Sequence, residues 1–113
     1  MVTMNQAGAK RGNPYEQGCP TRHILDRIGD KWTVLIVGAL GEESLRFSEL
    51  RRRIEGISQK MLTQTLRALE RDGIVSRTVY PEIPPRVEYG LTEKGIALVP
   101  IVEAMRAYGT EWL

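Results

Sequence analysis

Cysteine, histidine and phenylalanine each occur once in 113 residues, and aromatic residues make up only 6%. One cysteine excludes an intrachain disulfide, which suits a reducing compartment. The lone histidine, His23, follows Cys19 by four residues, and two ligands without a third make a poor metal site. No motif frames His23 with a nucleophile and an acid, so nothing points to an enzyme, a metal or a cofactor. Long apolar runs are missing too. The longest, Val34 to Val37, falls far short of the roughly 20 residues a membrane helix needs. A signal peptide's basic start and apolar core are absent, so the expected location is the cytoplasm, without a membrane partner. Charge of one sign is also scarce. The net charge is +2 with a pI near 8.9, so any case for nucleic acid must rest on where the arginines sit. The length suits one domain with one core.

Residues 1–18 are rich in Gly, Asn, Gln and Ala without periodicity and read as a flexible arm; residues 19–113 read as the folded domain. Pro20 suits the first position of a helix that Gly29 stops, which puts Cys19 at the N-cap. Ile24, Leu25 and Ile28 form its apolar side. Asp30 caps a second helix, Lys31 to Leu40, whose stripe is expected to be Trp32, Leu35, Ile36, Ala39 and Leu40, with Val34 and Val37 off it. Leu45 to Phe47 reads as a very short strand. Ser48 then caps a third helix, with Leu50 and Ile54 inward and Arg51, Arg52 and Arg53 outward.

After the turn Glu55 to Ile57 comes the stretch around which the chain is organised. Ser58 is an N-cap type and Gly73 a helix terminator. Between them Leu62, Leu66 and Leu69 fall on one side, and Lys60, Thr63, Gln64, Arg67 and Arg71 on the other. Alone this would be a solvated amphipathic helix. Two short helices joined by a glycine-containing turn, however, are a helix-turn-helix signature, and the outward residues suit base edges and phosphates. Ile74 to Tyr80 and Arg86 to Leu91 alternate as two strands, joined by the stiff tip PEIPPR. They read as a wing, with Arg77 and Arg86 available to DNA, or as a plain hairpin. Arginines here also have Glu70, Glu82 and Glu88 as alternative partners. Thr92 caps a last helix running almost to Leu113. Pro100 should kink or split it, and its stripe includes Leu98, Ile101, Val102, Met105, Tyr108 and Trp112. Dimerisation is the simplest sink for that much apolar surface, ordinary core packing the weaker one. The fold class is therefore mainly α with a small β-wing.

From Cys19 onward the chain resembles the HxlR-type transcriptional regulators, a MarR-like branch of winged-helix proteins. The resemblance is carried by Cys19–Pro20, by IGDKWTVLI, and by the long block RFSELRRRIEGISQKMLTQTLRALERDGIVSRTVYPEIPPRVEYGLTEKG. GEESLRF departs locally from relatives that have a Gly-Pro turn there. The family implies a sequence-specific regulator, dimerising through its terminal helices, here Ile24, Leu25, Ile101, Met105, Tyr108 and Trp112. It implies two recognition helices in successive major grooves of a palindromic double-stranded operator, with half-sites about 34 Å apart. Carried over by position, Ser58, Gln59, Lys60, Thr63, Gln64, Arg67 and Arg71 contact DNA. Arg67 and Gln64 suit base reading; Lys60 and the Arg51, Arg52, Arg53 cluster suit phosphates; Arg77 and Arg86 belong to the wing. Cysteines before a proline at this place sense quinones, aldehydes or oxidants in some relatives. The resemblance thus makes Cys19 a sensor candidate, against the alternative of an inert buried thiol. The sequence also permits a small-molecule effector in an apolar pocket at the dimer interface near Trp32 and Trp112. The rival function is a winged-helix protein–protein adaptor without specific DNA binding.

Overall fold

Helix α1 (Pro20–Ile28) begins where a missing amide proton leaves nothing unsatisfied, with Pro20 in its first turn and Cys19 at the N-cap. A computed structural model of the chain describes Asn13 and residues 15–113; the expected arm at 1–12 and Pro14 lies outside the described residues. The end of the expected arm is turned: the Asn13 carboxamide oxygen accepts from the Tyr15 amide at 3.0 Å, and the Asn13 carbonyl accepts from Glu16 at 3.0 Å. Arg22 Nη1 donates to the Tyr15 carbonyl at 3.2 Å. The chain divides after Lys31 into two compact units, so α1 groups with this turn and the winged helix fills residues 32–113.

The second unit is built on three helices. Helix α2 (Lys31–Leu40) buries Thr33, Ile36, Val37 and Leu40, a spacing of three, four and seven. The expected stripe through Leu35 is therefore rotated: Leu35 is exposed and Val37 fully buried. A helix apolar nearly all round satisfies the helical period on several faces, so its pattern alone does not select the inward one. Thr33 is wholly buried, and its hydroxyl has no hydrogen-bond partner among the described residues.

Helix α3 (Phe47–Arg53) starts two residues earlier than the Ser48 cap implied, with Arg46 and not Ser48 at the N-cap. The Glu49 carboxylate accepts from the Arg46 amide at 2.8 Å, which fixes Arg46 as the N-cap and draws Phe47 and Ser48 into the first turn. Leu50 faces the core, and the turn after Arg53 passes through Gly56 to helix α4 (Gln59–Arg71). Ser58 caps α4 as expected, accepting from the Met61 amide at 3.0 Å. At its far end the Ile74 amide donates to Leu69 O and the Gly73 amide to Glu70 O. That double closure requires a left-handed residue, and Gly73 supplies it with φ of 75°. Leu62, Leu66 and Leu69 are buried, as are Ile36, Leu40 and Leu50, each contributing roughly 1.5–3 kcal/mol by leaving water.

Ile74 is buried just before the wing, which consists of β1 (Val75–Tyr80) and β2 (Arg86–Leu91). They pair antiparallel, from Val75 opposite Leu91 to Tyr80 opposite Arg86. The expected strand at Leu45 to Phe47 is a single bridge: Leu45 and Tyr89 exchange backbone hydrogen bonds of 2.9 and 2.8 Å, and Phe47 already belongs to α3. The last helical stretch is split, as proline demands. Helix α5 (Glu93–Ile96) is capped by Thr92, which accepts from the Gly95 amide at 3.1 Å, and α6 (Val99–Trp112) restarts with Pro100 in its first turn. Leu98 and Val102 are buried; Ile101, Met105, Tyr108 and Trp112 are exposed along the helix, with the Tyr108 and Trp112 rings 6.4 Å apart. Leu25 of α1 is also exposed, and Ile24 is half-buried. Among the described residues no helix is long and apolar enough to cross a membrane.

Candidate nucleic-acid interface

The helix-turn-helix geometry follows from two short-range devices, the Arg46–Glu49 cap of α3 and the Ser58 cap of α4. With Leu62, Leu66 and Leu69 held in the core, helical periodicity turns Gln59, Lys60, Gln64, Arg67 and Arg71 to solvent, and Thr63 lies half-buried between the two faces.

Two clefts flank this face. One, of about 480 Å³, is lined by Phe47, Ser48, Arg51, Arg52 and Gln59, so it brings the arginines of α3 to the N-terminal end of α4. The free amides and positive dipole end of that helix favour an anion there, and two guanidinium groups add to it. The other, of about 350 Å³, is lined by Thr63, Leu66, Arg67, Glu70, Arg77 and Tyr89, joining α4 to the root of the wing. Arg51, Arg52, Lys60, Arg67, Arg71 and Arg77 form no ion pair among the described residues. Six cations on one face in a chain of net charge +2 mean that the remainder of the molecule is net acidic. The field is concentrated here.

Two of the expected arginines have carboxylate partners. Arg53 was grouped with the phosphate cluster, but its guanidinium forks onto Glu43 at 3.3 Å and donates to the Ala39 carbonyl at 3.3 Å. On a seven-residue helix, three successive residues point in three directions, so the third arginine falls on the side of α2. Arg86 is likewise engaged. It meets Glu88 at 2.6 Å and Glu82 at 3.0 Å, and its guanidinium carbon stands 3.9 Å from the centre of the Tyr80 ring. Burial pulls this guanidinium's pKa down, but hydrogen bonds and charge from Glu88 and Glu82 outweigh it and hold the pKa above the ordinary value. Arg86 is therefore braced at the wing tip by Glu82 and Glu88, the alternative partners that its neighbours in the sequence offered. Sequence reasoning missed Ser48, Phe47, Tyr89 and Glu70 as cleft walls. Only Tyr89 carried a signal, its place in the alternation of β2.

In the N-terminal unit Cys19 lines a cleft of about 580 Å³ with Gln17, Gly18, Pro20, Arg22, His23 and Asp26. The thiol is 8% exposed and makes no side-chain cap bond. Burial pushes its pKa up, but the amides of Arg22 and Thr21, the Thr21 side chain and the Asn13 backbone favour the thiolate, and the net shift is downward. An apolar groove of about 750 Å³ runs between Val34, Leu35, Gly38, Ile54, Val102 and Met105.

A helix-turn-helix with an open cationic second helix, followed by a two-stranded wing, defines a winged-helix DNA-binding protein. The model of HxlR-like helix-turn-helix proteins matches residues 27–113, and the chain belongs to that family. It is similar to the Escherichia coli HTH-type transcriptional regulator YtfH, 51% identical over 86 residues that span 76% of this chain and 68% of that one. Among solved structures it is similar to a MarR-family transcriptional regulator from Porphyromonas gingivalis, at 40% identity and a TM-score of 0.80 over 87% of this chain and 96% of that one. It is similar also to the redox regulator HypR in its oxidised form, at 47% identity and a TM-score of 0.77 over 82% and 96%. The expected family and fold class hold, and the function is that of a helix-turn-helix transcriptional regulator rather than an adaptor.

Proposed function

We propose that two copies of this chain bind a partly palindromic double-stranded operator, each placing α4 in a major groove. The observation that supports this most is the run of unpaired cations along α4 and its two flanking clefts, Arg51 and Arg52 beside Gln59, and Arg67 with Arg77. In this reading Gln64 and Arg67 meet base edges, while Lys60, Arg51, Arg52 and Arg71 hold phosphates and set the register. Ser58 orients the first turn of α4, and Gln59 and Thr63 contact the backbone beside it. No step requires an enzyme activity or a cofactor, and the regulator acts on cytoplasmic DNA. Homodimerisation is supported by Ile101, Met105, Tyr108 and Trp112, exposed at spacings of four, three and four along α6, with Ile24 and Leu25 on α1 as further contacts.

The assignment of phosphate contacts is tested by the salt dependence of binding to random duplex. Each phosphate contact contributes a slope of about −0.9 in log K against log salt. Arg52→Ala should make the slope shallower by about one unit per protomer and weaken binding evenly across sequences. An unchanged slope would place Arg52 off the DNA.

Cys19 is proposed as the point at which an oxidant or electrophile acts, supported by its thiolate-favouring amides and by the likeness to a redox regulator. Because the shift is downward, the thiolate persists to lower pH than in an ordinary cysteine. Alkylation by iodoacetamide should therefore reach half its maximal rate at a lower pH than for an ordinary cysteine. Modification followed by mass spectrometry should coincide with loss of DNA affinity; full modification at unchanged affinity would refute the sensing role.

A further inference from the structure

At the wing tip two ion pairs converge on one guanidinium. Arg86 sits opposite Tyr80 in the hairpin register, with its guanidinium carbon over the ring. Glu88, two residues on, accepts from Arg86 Nη1 at 2.6 Å, and Glu82, four residues back across the tip, accepts from Nε at 3.1 Å. The two carboxylates approach the guanidinium from different residues, and the aromatic ring lies under its carbon. Pro81, Pro84 and Pro85 limit how far the intervening loop can relax, and Ile83 stands wholly in solvent. Two carboxylates against one guanidinium leave the tip with a net charge of about −1, in contrast to the six cations around α4.

A phosphate backbone approaching the tip therefore meets an acidic surface, with the only nearby cation already committed. We propose that this cluster is an autoinhibitory latch: Glu82 and Glu88 hold Arg86 off the DNA backbone, and releasing them turns the wing tip into an additional phosphate contact. The inference rests on the reading of the chain as a DNA-binding protein. Arg77, lower on the wing and free of such partners, then provides the wing's contact while the latch is closed. The latch sets a ceiling on affinity that substitution, or a partner drawing off the two carboxylates, lifts.

The test is a cycle of variants titrated on random duplex at 50 and 200 mM salt, alongside the wild type and Arg67→Ala. Glu82→Gln combined with Glu88→Gln should tighten binding at low salt by roughly three- to tenfold and steepen the salt slope by about one unit per protomer. Adding Arg86→Gln to that pair should remove the gain, whereas Arg86→Gln alone should leave the slope as in the wild type. Glu82→Gln by itself, at the more exposed carboxylate, should show a smaller gain of the same sign, which keeps the test valid if the double variant folds poorly. A gain that survives Arg86→Gln would show only a general effect of charge and overturn the latch, as would no gain at all. If the wild type itself binds no duplex, the DNA-binding reading fails, an outcome separate from a wild type that binds while the variants match it.

Discussion

Arg67→Ala is expected to weaken binding to the preferred operator by about 1–3 kcal/mol, roughly 5- to 150-fold, while leaving the fold intact. The magnitude is that of one bidentate contact between an arginine and a guanine edge. The lack of effect on stability follows from position: Arg67 is exposed on α4 and forms no ion pair among the described residues, and surface changes of that kind stay within about 0.5 kcal/mol. A second signature separates base reading from phosphate binding. Loss of a base contact relaxes the preference at one operator position, whereas loss of a phosphate contact, as expected for Arg71→Ala, lowers affinity for every sequence alike. Competition assays with single-base operator variants distinguish the two. An Arg67→Ala protein that binds more weakly but keeps its full base preference would move Arg67 to the phosphates and leave base reading to Gln64.

Gly95→Ala is expected to destabilise the protein by about 2–4 kcal/mol, opposite in sign to the usual effect. In an exposed helix interior, alanine in place of glycine stabilises by roughly 1 kcal/mol. At Gly95 an added Cβ runs into the carbonyl oxygen of Ile74, with Leu91 Cδ2 only 3.1 Å away. That carbonyl is not free to retreat, because it accepts from the Thr92 amide at 3.0 Å, while the Thr92 hydroxyl donates to the neighbouring Gly73 carbonyl at 2.6 Å. Helix α5 must instead lift from the base of the wing, straining the Thr92 cap on the Gly95 amide. Overpacking of this kind accounts for about 1–3 kcal/mol and the weakened cap for about 1 more. Against a total stability on the order of 5–15 kcal/mol, that is a large share. Urea denaturation should show the midpoint falling with little change in slope. A variant as stable as the wild type would mean that α5 and Ile74 are not in the close contact described.

These two residues also mark what is legible in the sequence and what is not. Arg67 was readable because its role depends on local period: Leu62, Leu66 and Leu69 fix the inward face of α4, and everything opposite is exposed. The Ser58 and Thr92 caps, the β2 range and the break at Pro100 were readable for the same reason, each set within four residues. Gly95 stood inside the family block, yet its reason is a contact with a carbonyl 21 residues earlier, which no local spacing encodes. The pairing of Arg86 with Glu82 and Glu88 was readable, since both carboxylates lie within four residues of it. The partner of Arg53 was not, because it depends on which side of a two-turn helix the guanidinium occupies. Helix α2 shows the opposite limit. With apolar residues on nearly every side it offered too much signal, and burial chose Thr33 and Val37 over Leu35.

In the proposed homodimer, the exposed stripe on α6 would bring in the second half of the site. One recognition helix reads only about one groove, and a homodimer joined through Ile101, Met105, Tyr108 and Trp112 would place a second copy at a fixed spacing. The most direct test of that account is selection from a pool of random duplexes with the full-length reduced protein, sequencing the bound fraction over successive rounds. The account predicts enrichment of an inverted repeat whose half-sites lie roughly one helical turn, about 34 Å, apart. The same repeat should fail to enrich with Arg67→Ala. A pool retained evenly, with no sequence favoured after repeated rounds, would contradict it.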